Sequence, residues 1–125
     1  AMTIAKNYAN ERVAFGKPIG KFEGIQFKFA DMSAEIRAME LLTYDTARMK
    51  VAGKRHTLEA AQTKLFSATR CTQICLECQQ VLGGNGYSKE YHLERFVRDS
   101  KLLEIGEGTN EILRMLIGGT ILAQK

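Results

Sequence analysis

With 125 residues, 45% hydrophobic and 26% charged, the chain has the length and balance of one ordinary globular domain, long enough to bury a core. Its net charge of +4 and pI of about 9.1 would suit a phosphate-bearing partner, but acids and bases are interleaved and no basic stripe with aromatics marks a nucleic-acid surface. No apolar run reaches the roughly 18 residues of a membrane span, and the first residues lack the pattern of a secretory signal.

A single proline and long spans free of glycine predict an all-α protein. The expected architecture is an antiparallel bundle of about four to five helices, forming one domain over residues 1–125. Thr3 to Val13 reads as the first helix, with Ile4, Ala5, Tyr8, Ala9 and Val13 on one side. It begins so abruptly that it reads as a helix cut near its start, a piece of a longer chain. Phe15-Gly16-Lys17-Pro18-Ile19-Gly20-Lys21 must break it. A second helix is predicted from near Phe22 to about Ala52, its seam formed by Ile25, Phe29, Met32, Ile36 and Met39. Lys50 lies in its last turn, and Gly53 is placed for a left-handed cap.

Thr57 is the expected cap of a third helix, with Glu59 in the first turn. Ala61, Leu65, Ala68, Thr72, Cys75, Gln79 and Leu82 repeat by four and three, a small-residue seam that lets a neighbour approach closely. Cys71, Cys75 and Cys78 share one face of this helix. Neither a histidine nor a second cysteine pair completes a metal set, so they read as buried thiols of a reducing compartment. Gly83-Gly84-Asn85-Gly86 ends the helix. A shorter one is predicted from about Lys89 to Ser100, carrying Leu93, Phe96 and Val97, and a last one from about Asn110 to Leu122 with Ile112, Met115, Leu116 and Leu122 inward. His56 and His92 read as surface or helix-end residues.

Between the last two helices lies Ile105-Gly106-Glu107-Gly108-Thr109-Asn110-Glu111. A carboxylate between two glycines has no side-chain neighbours to shield it, and the glycines let the backbone turn and a planar ligand come close. Thr109 can cap the helix that follows, with Glu111 in its first turn.

Three stretches together resemble the C-terminal domain of the flavin-dependent acyl-CoA dehydrogenases: Glu11-Arg12-Val13-Ala14-Phe15-Gly16-Lys17-Pro18-Ile19, Gln80-Val81-Leu82-Gly83-Gly84-Asn85-Gly86-Tyr87, and Arg98-Asp99-Ser100-Lys101 running on to Glu107-Gly108-Thr109-Asn110-Glu111-Ile112. The resemblance covers essentially the whole chain. It implies the last third of a longer subunit, preceded by an N-terminal helical domain and a middle β-domain. It also implies a homotetramer built from paired bundles.

The resemblance further implies α,β-dehydrogenation of a fatty or branched acyl-CoA to a trans-2-enoyl-CoA, with FAD as cofactor, an electron-transfer flavoprotein as acceptor and a place in fatty acid metabolism. Glu107 matches the base that takes the α-proton, and its own backbone N–H matches a donor to the thioester oxygen, with a ribityl hydroxyl of FAD as the other. Arg12 matches an arginine that meets the FAD pyrophosphate of a neighbouring subunit, a task suited to the fork of a guanidinium. Phe15, Glu23, Gln80, Gly83, Gly84, Thr109 and Glu111 match other cofactor contacts, and Gly106 and Gly108 match substrate contacts. Gly83 and Gly84 follow a helix, whereas a dinucleotide-fold fingerprint follows a strand.

Three positions depart from the commoner family pattern. Gly106 stands where Tyr or Phe is frequent, leaving room beside the thioester, while Glu23 and Glu111 stand where glutamine is common. An acid near pyrophosphate needs Arg12 or Lys21 to offset it. A related acyl-CoA oxidase, or an assembly module without activity of its own, are the alternatives. The expected location is the cytoplasm of a prokaryote or the mitochondrial matrix of a eukaryote.

Overall fold

The computed structural model describes residues 1–123. The first helix, α1, spans Met2–Glu11 and stops short of the predicted end, because Arg12 turns extended and Val13 enters a hairpin. Val13–Ala14 (β1) pairs antiparallel with Lys17–Pro18 (β2), Val13 opposite Pro18 and Ala14 opposite Lys17. The two-residue link has φ of 51° at Phe15 and 82° at Gly16, the double left-handed geometry of a tight hairpin. A 3₁₀ turn, Ile19–Lys21, leads into α2, Glu23–Val51. Gly53 closes α2 as expected, with φ of 67° and its N–H on the Lys50 carbonyl at 3.1 Å.

The next helix, α3, spans Thr57–Leu82, and its cap is His56, not Thr57. The His56 carbonyl already accepts the first helical bond, from Ala60 at 2.9 Å, so Thr57 lies inside the helix. Gly83, at φ 57°, ends α3. One turn of helix, α4 (Gly84–Tyr87), and a 3₁₀ turn (Lys89–Tyr91) follow. Left-handed His92, at φ 59°, then delays the start of α5 to Leu93. That helix runs Leu93–Ile105, past the predicted end at Ser100, and α6 spans Asn110–Ala123.

Cross-helix pairs give the directions. Thr46 meets Thr63 at 2.8 Å, Glu35 meets Arg70 at 3.3 Å and Met32 meets Cys78 at 3.6 Å, so α2 and α3 are antiparallel. Ser100 lies beside Cys75, Glu104 beside Thr72, and Asn110 bonds to Thr69, so α5 and then α6 run the same way down α3. The α5–α6 loop is therefore a jog beside α3 and not a reversal at the end of the bundle.

Helix α3 touches every other helix among the described residues. Its predicted seam holds at Ala61, Ala68, Cys75 and Leu82, but Ile74, Cys78 and Val81 are also buried. A central helix buries more than one stripe. The α2 seam is as predicted: Met32 is buried, with Ile25, Phe29, Ile36 and Met39 packed around it. The α6 expectation fails. Leu113 and Asn110 face inward, whereas Ile112, Met115, Leu116 and Leu122 are exposed, Leu122 at 87%. Apolar residues on all sides of α6 left periodicity nothing to choose between.

All three cysteines are free. Burial pushes the Cys78 thiol up to about 11. Cys71 shares its proton with Cys75, which raises its own pKa and lowers that of Cys75 to about 6.

Candidate functional site

At the jog, α5 ends with the Gly106 N–H on the Leu102 carbonyl at 2.7 Å. Glu107 then sits left-handed at φ 53°, and Gly108 at φ 99°. Thr109 caps α6 as predicted, its hydroxyl accepting the Ile112 N–H at 3.4 Å and its carbonyl the Leu113 N–H at 3.0 Å. Two residues without a sequence-based role hold this loop. Lys64 of α3 donates its ammonium to the carbonyls of Gly106 and Gly108. Buried Asn110 donates to Thr69 Oγ1 at 3.2 Å and to Glu104 Oε2 at 3.4 Å, while its own Oδ1 has no partner among the described residues. Glu104 is fixed in turn, because the Thr72 hydroxyl and the Lys101 ammonium, 3.0 Å away, hold its carboxyl below the usual carboxylate range.

The loop thus has a tied backbone and one free acid. The Glu107 side chain is exposed and enters no hydrogen bond or ion pair among the described residues. Glu111 is exposed beside it in sequence and pairs with Arg114 at 3.4 Å. Gly106 has an ordinary φ of −69°, and a Cβ there would lie 3.2 Å from the Leu102 carbonyl. Around Gly108 a Cβ would meet nothing, leaving open space above the backbone.

A second group lies at the other end of α3. Arg12 caps α1, its N–H on the Tyr8 carbonyl at 2.8 Å, and no carboxylate pairs with its exposed guanidinium among the described residues. Phe15, at the hairpin tip, is 94% exposed and stands perpendicular to the Phe22 ring, 6.2 Å between centroids. Glu23 opens α2 and is exposed. Asn85 Nδ2 donates to the Tyr8 hydroxyl at 2.9 Å, so the Gly83–Tyr87 turn is tied to the same end of α1. In that turn Gln80, Gly83 and Gly84 are exposed, with open space where either glycine would carry a Cβ.

The structure does not bring the two groups together. Lys64, under the Glu107 loop, and Gly83 are separated along α3 by a rise of about 28 Å. One small molecule cannot bridge compact sites so placed on a single chain.

Lys64, Asn110, Glu104 and the Tyr8–Asn85 link had no legible role in the sequence. Lys64 carries the one hint, as the lone charged residue of the stretch Ala60-Ala61-Gln62-Thr63-Lys64-Leu65-Phe66. His56 and His92 take helix-cap positions, as expected. Among the described residues no cluster of His, Cys, Asp or Glu can hold a metal ion, and no helix is long and apolar enough to cross a membrane.

The fold defines a class: an all-α domain with two separated sets of exposed residues on a helical frame. The chain matches the family model described as acyl-CoA dehydrogenase, C-terminal domain, over residues 1–122. It is 45% identical over 122 residues to the probable acyl-CoA dehydrogenase YngJ of Bacillus subtilis, covering 98% of this chain and 32% of that protein. Its fold matches the structure of butyryl-CoA dehydrogenase from Megasphaera elsdenii with a TM-score of 0.95 and 42% identity, over 97% of this chain and 32% of that one. A glutaryl-CoA dehydrogenase from Mycobacterium smegmatis in complex with FADH2 matches with a TM-score of 0.93 and 28% identity, over 99% of this chain and 32% of that one. The chain belongs to the acyl-CoA dehydrogenase family and corresponds to its C-terminal domain. It spans about a third of the length of the curated relatives it matches.

Proposed function

We propose that the chain is the C-terminal domain of an FAD-dependent acyl-CoA dehydrogenase, in which Glu107 removes the α-proton of an acyl-CoA thioester on the way to the trans-2-enoyl-CoA. One observation carries this reading. Among the described residues only three non-glycines have positive φ, and two of them, Phe15 and Glu107, match site residues in the family resemblance. Both side chains are exposed. Left-handed backbone is costly for a side chain such as these, and strain of this kind gathers where function holds it.

The residues present fit the cofactor. Arg12 offers an unpaired guanidinium to a diphosphate. Phe15 offers an exposed ring, and Gly83 and Gly84 an open backbone beside Gln80 for the adenosine end. Glu23, exposed at the start of α2, adds one negative charge for Arg12 or Lys21 to offset. Thr109 and Glu111 flank the Glu107 loop as further cofactor contacts. Bound FAD supplies the acceptor for the hydride that leaves Cβ.

The chain itself supplies the rest. The α-proton of a thioester is weakly acidic, so the base must be close and well aimed. A carboxylate on a pinned loop meets that need, with Gly106 and Gly108 leaving space for the acyl-CoA. The Glu107 N–H, which has no acceptor among the described residues, is free to donate to the thioester oxygen as charge develops there. The two groups of residues serve different sites. The Glu107 loop serves the substrate of its own subunit, and the Arg12 group serves the FAD of a neighbour in a dimer or tetramer. The exposed apolar face of α6 supports such self-association. An electron-transfer flavoprotein is the proposed acceptor, and the cytoplasm or the mitochondrial matrix the proposed location.

In the full-length FAD-loaded subunit, Glu107→Gln is expected to keep its flavin and lose about 10²- to 10⁴-fold in turnover, as when a positioned base is removed. Near-native turnover of acyl-CoA by that variant would place the base elsewhere.

A further inference from the structure

The side chain that orders the Glu107 loop has no other occupation. Lys64 is half-buried and lines an apolar cleft with Tyr44 and Leu103. Its ammonium meets two carbonyls, those of Gly106 and Gly108, the latter at 2.5 Å, and no carboxylate within 4 Å among the described residues. Placing a cation there is costly. A fold that needed only packing at this point would be served by a methionine.

The geometry has a consequence for the backbone. All peptide bonds among the described residues are trans. In a trans peptide the carbonyl and the following N–H point in opposite directions. By drawing the Gly106 and Gly108 carbonyls toward α3, Lys64 turns the N–H groups of Glu107 and Thr109 away from α3. It also brackets the one left-handed residue between them, which fixes where the carboxylate leaves the chain.

We infer that Lys64 is a positioning residue: it aims both the Glu107 carboxylate and the Glu107 N–H at the thioester by holding the two carbonyls on either side. This rests on the reading of Glu107 as the base. Lys64 itself touches neither substrate nor cofactor in this account.

The test uses the full-length FAD-loaded enzyme carrying Lys64→Met or Lys64→Arg. Amide hydrogen exchange of the peptide spanning 105–112 is followed by mass spectrometry, and steady-state kinetics with an acyl-CoA are measured alongside. Lys64→Met is expected to speed exchange at 106–109 by about tenfold or more. It should also lower kcat by about 10- to 100-fold with KM changed little, the pattern of lost transition-state alignment. Lys64→Arg, which keeps charge and donors, should recover part of both. Unchanged exchange, or faster exchange with unchanged kcat, overturns the inference. If Lys64→Met does not fold, Lys64→Gln is measured by the same two readouts with the same criteria. Loss of activity in Glu107→Gln with none in the Lys64 variants would defeat the positioning role alone. Full activity in Glu107→Gln would defeat the base, and the exchange data would still decide whether Lys64 holds the loop.

Discussion

Two glycines of one turn have opposite jobs. A Cβ on Gly86 would lie 2.2 Å from the Gln79 carbonyl oxygen, a contact no side chain can make without moving backbone. A Cβ on Gly84 would meet nothing within 4 Å. Gly86→Ala is therefore expected to destabilise the fold by about 1–3 kcal/mol, the cost of overpacking, read as a lower urea midpoint. Gly84→Ala should leave that midpoint nearly unchanged and, on the proposed reading of this turn as a cofactor contact, weaken FAD retention in the full-length protein. Equal midpoints for the two variants would contradict the assignment. The motif Gly83-Gly84-Asn85-Gly86 was visible in the sequence, but which glycine faces protein and which faces solvent was not.

At the level of elements, polar contacts tie the end of α5 to the start of α6. Glu104 stands at their centre, taking bonds from Lys101 and Asn110 with Thr72 beside it. Its carboxyl is held below the ordinary glutamate value of 4.5. A depressed folded-state pKa contributes stability that is fully present above the unfolded value and is lost as pH falls through the folded one. The urea midpoint should therefore drop as the pH is taken below about 4.5. Glu104→Gln should flatten that acid-side fall while lowering the midpoint at neutral pH. An identical acid-side slope in the variant would show that other carboxylates govern it.

For the molecule as a whole, the exposed surface decides what the chain can do alone. Ile112, Met115, Ile121 and Leu122 of α6 lie outward, together with Leu102 and Ile105 of α5 and Phe15 at the hairpin. So much exposed apolar surface marks contact with other protein. The isolated 125-residue chain is expected to fold and to self-associate in analytical ultracentrifugation, and to show no turnover of butyryl-CoA with added FAD. A catalytically inactive assembly module and a catalytic domain cut from its subunit behave alike in that experiment. Turnover by the isolated chain would show that one bundle is enough, and the wide separation of the two residue groups argues against it.

What the sequence determined by itself is the local order: helices where apolar spacing repeats, breaks where glycine and proline fall, the Gly53 and Thr109 caps, and the identity of the candidate residues. Those follow from backbone geometry and side-chain period, which act over a few residues. Its resemblance to a family added roles, and the family stands on the comparisons. Tertiary structure alone decided the hairpin's left-handed Phe15, the outward turn of α6 and the collinear path of α5 and α6. It also placed Lys64 beneath Glu107 and Asn110 against Thr69 and Glu104, contacts spanning up to 44 residues of sequence. Such choices depend on which helix lies beside which. An apolar residue on α6 has the same hydrophobicity on either face, and only the position of α3 makes one face the inside.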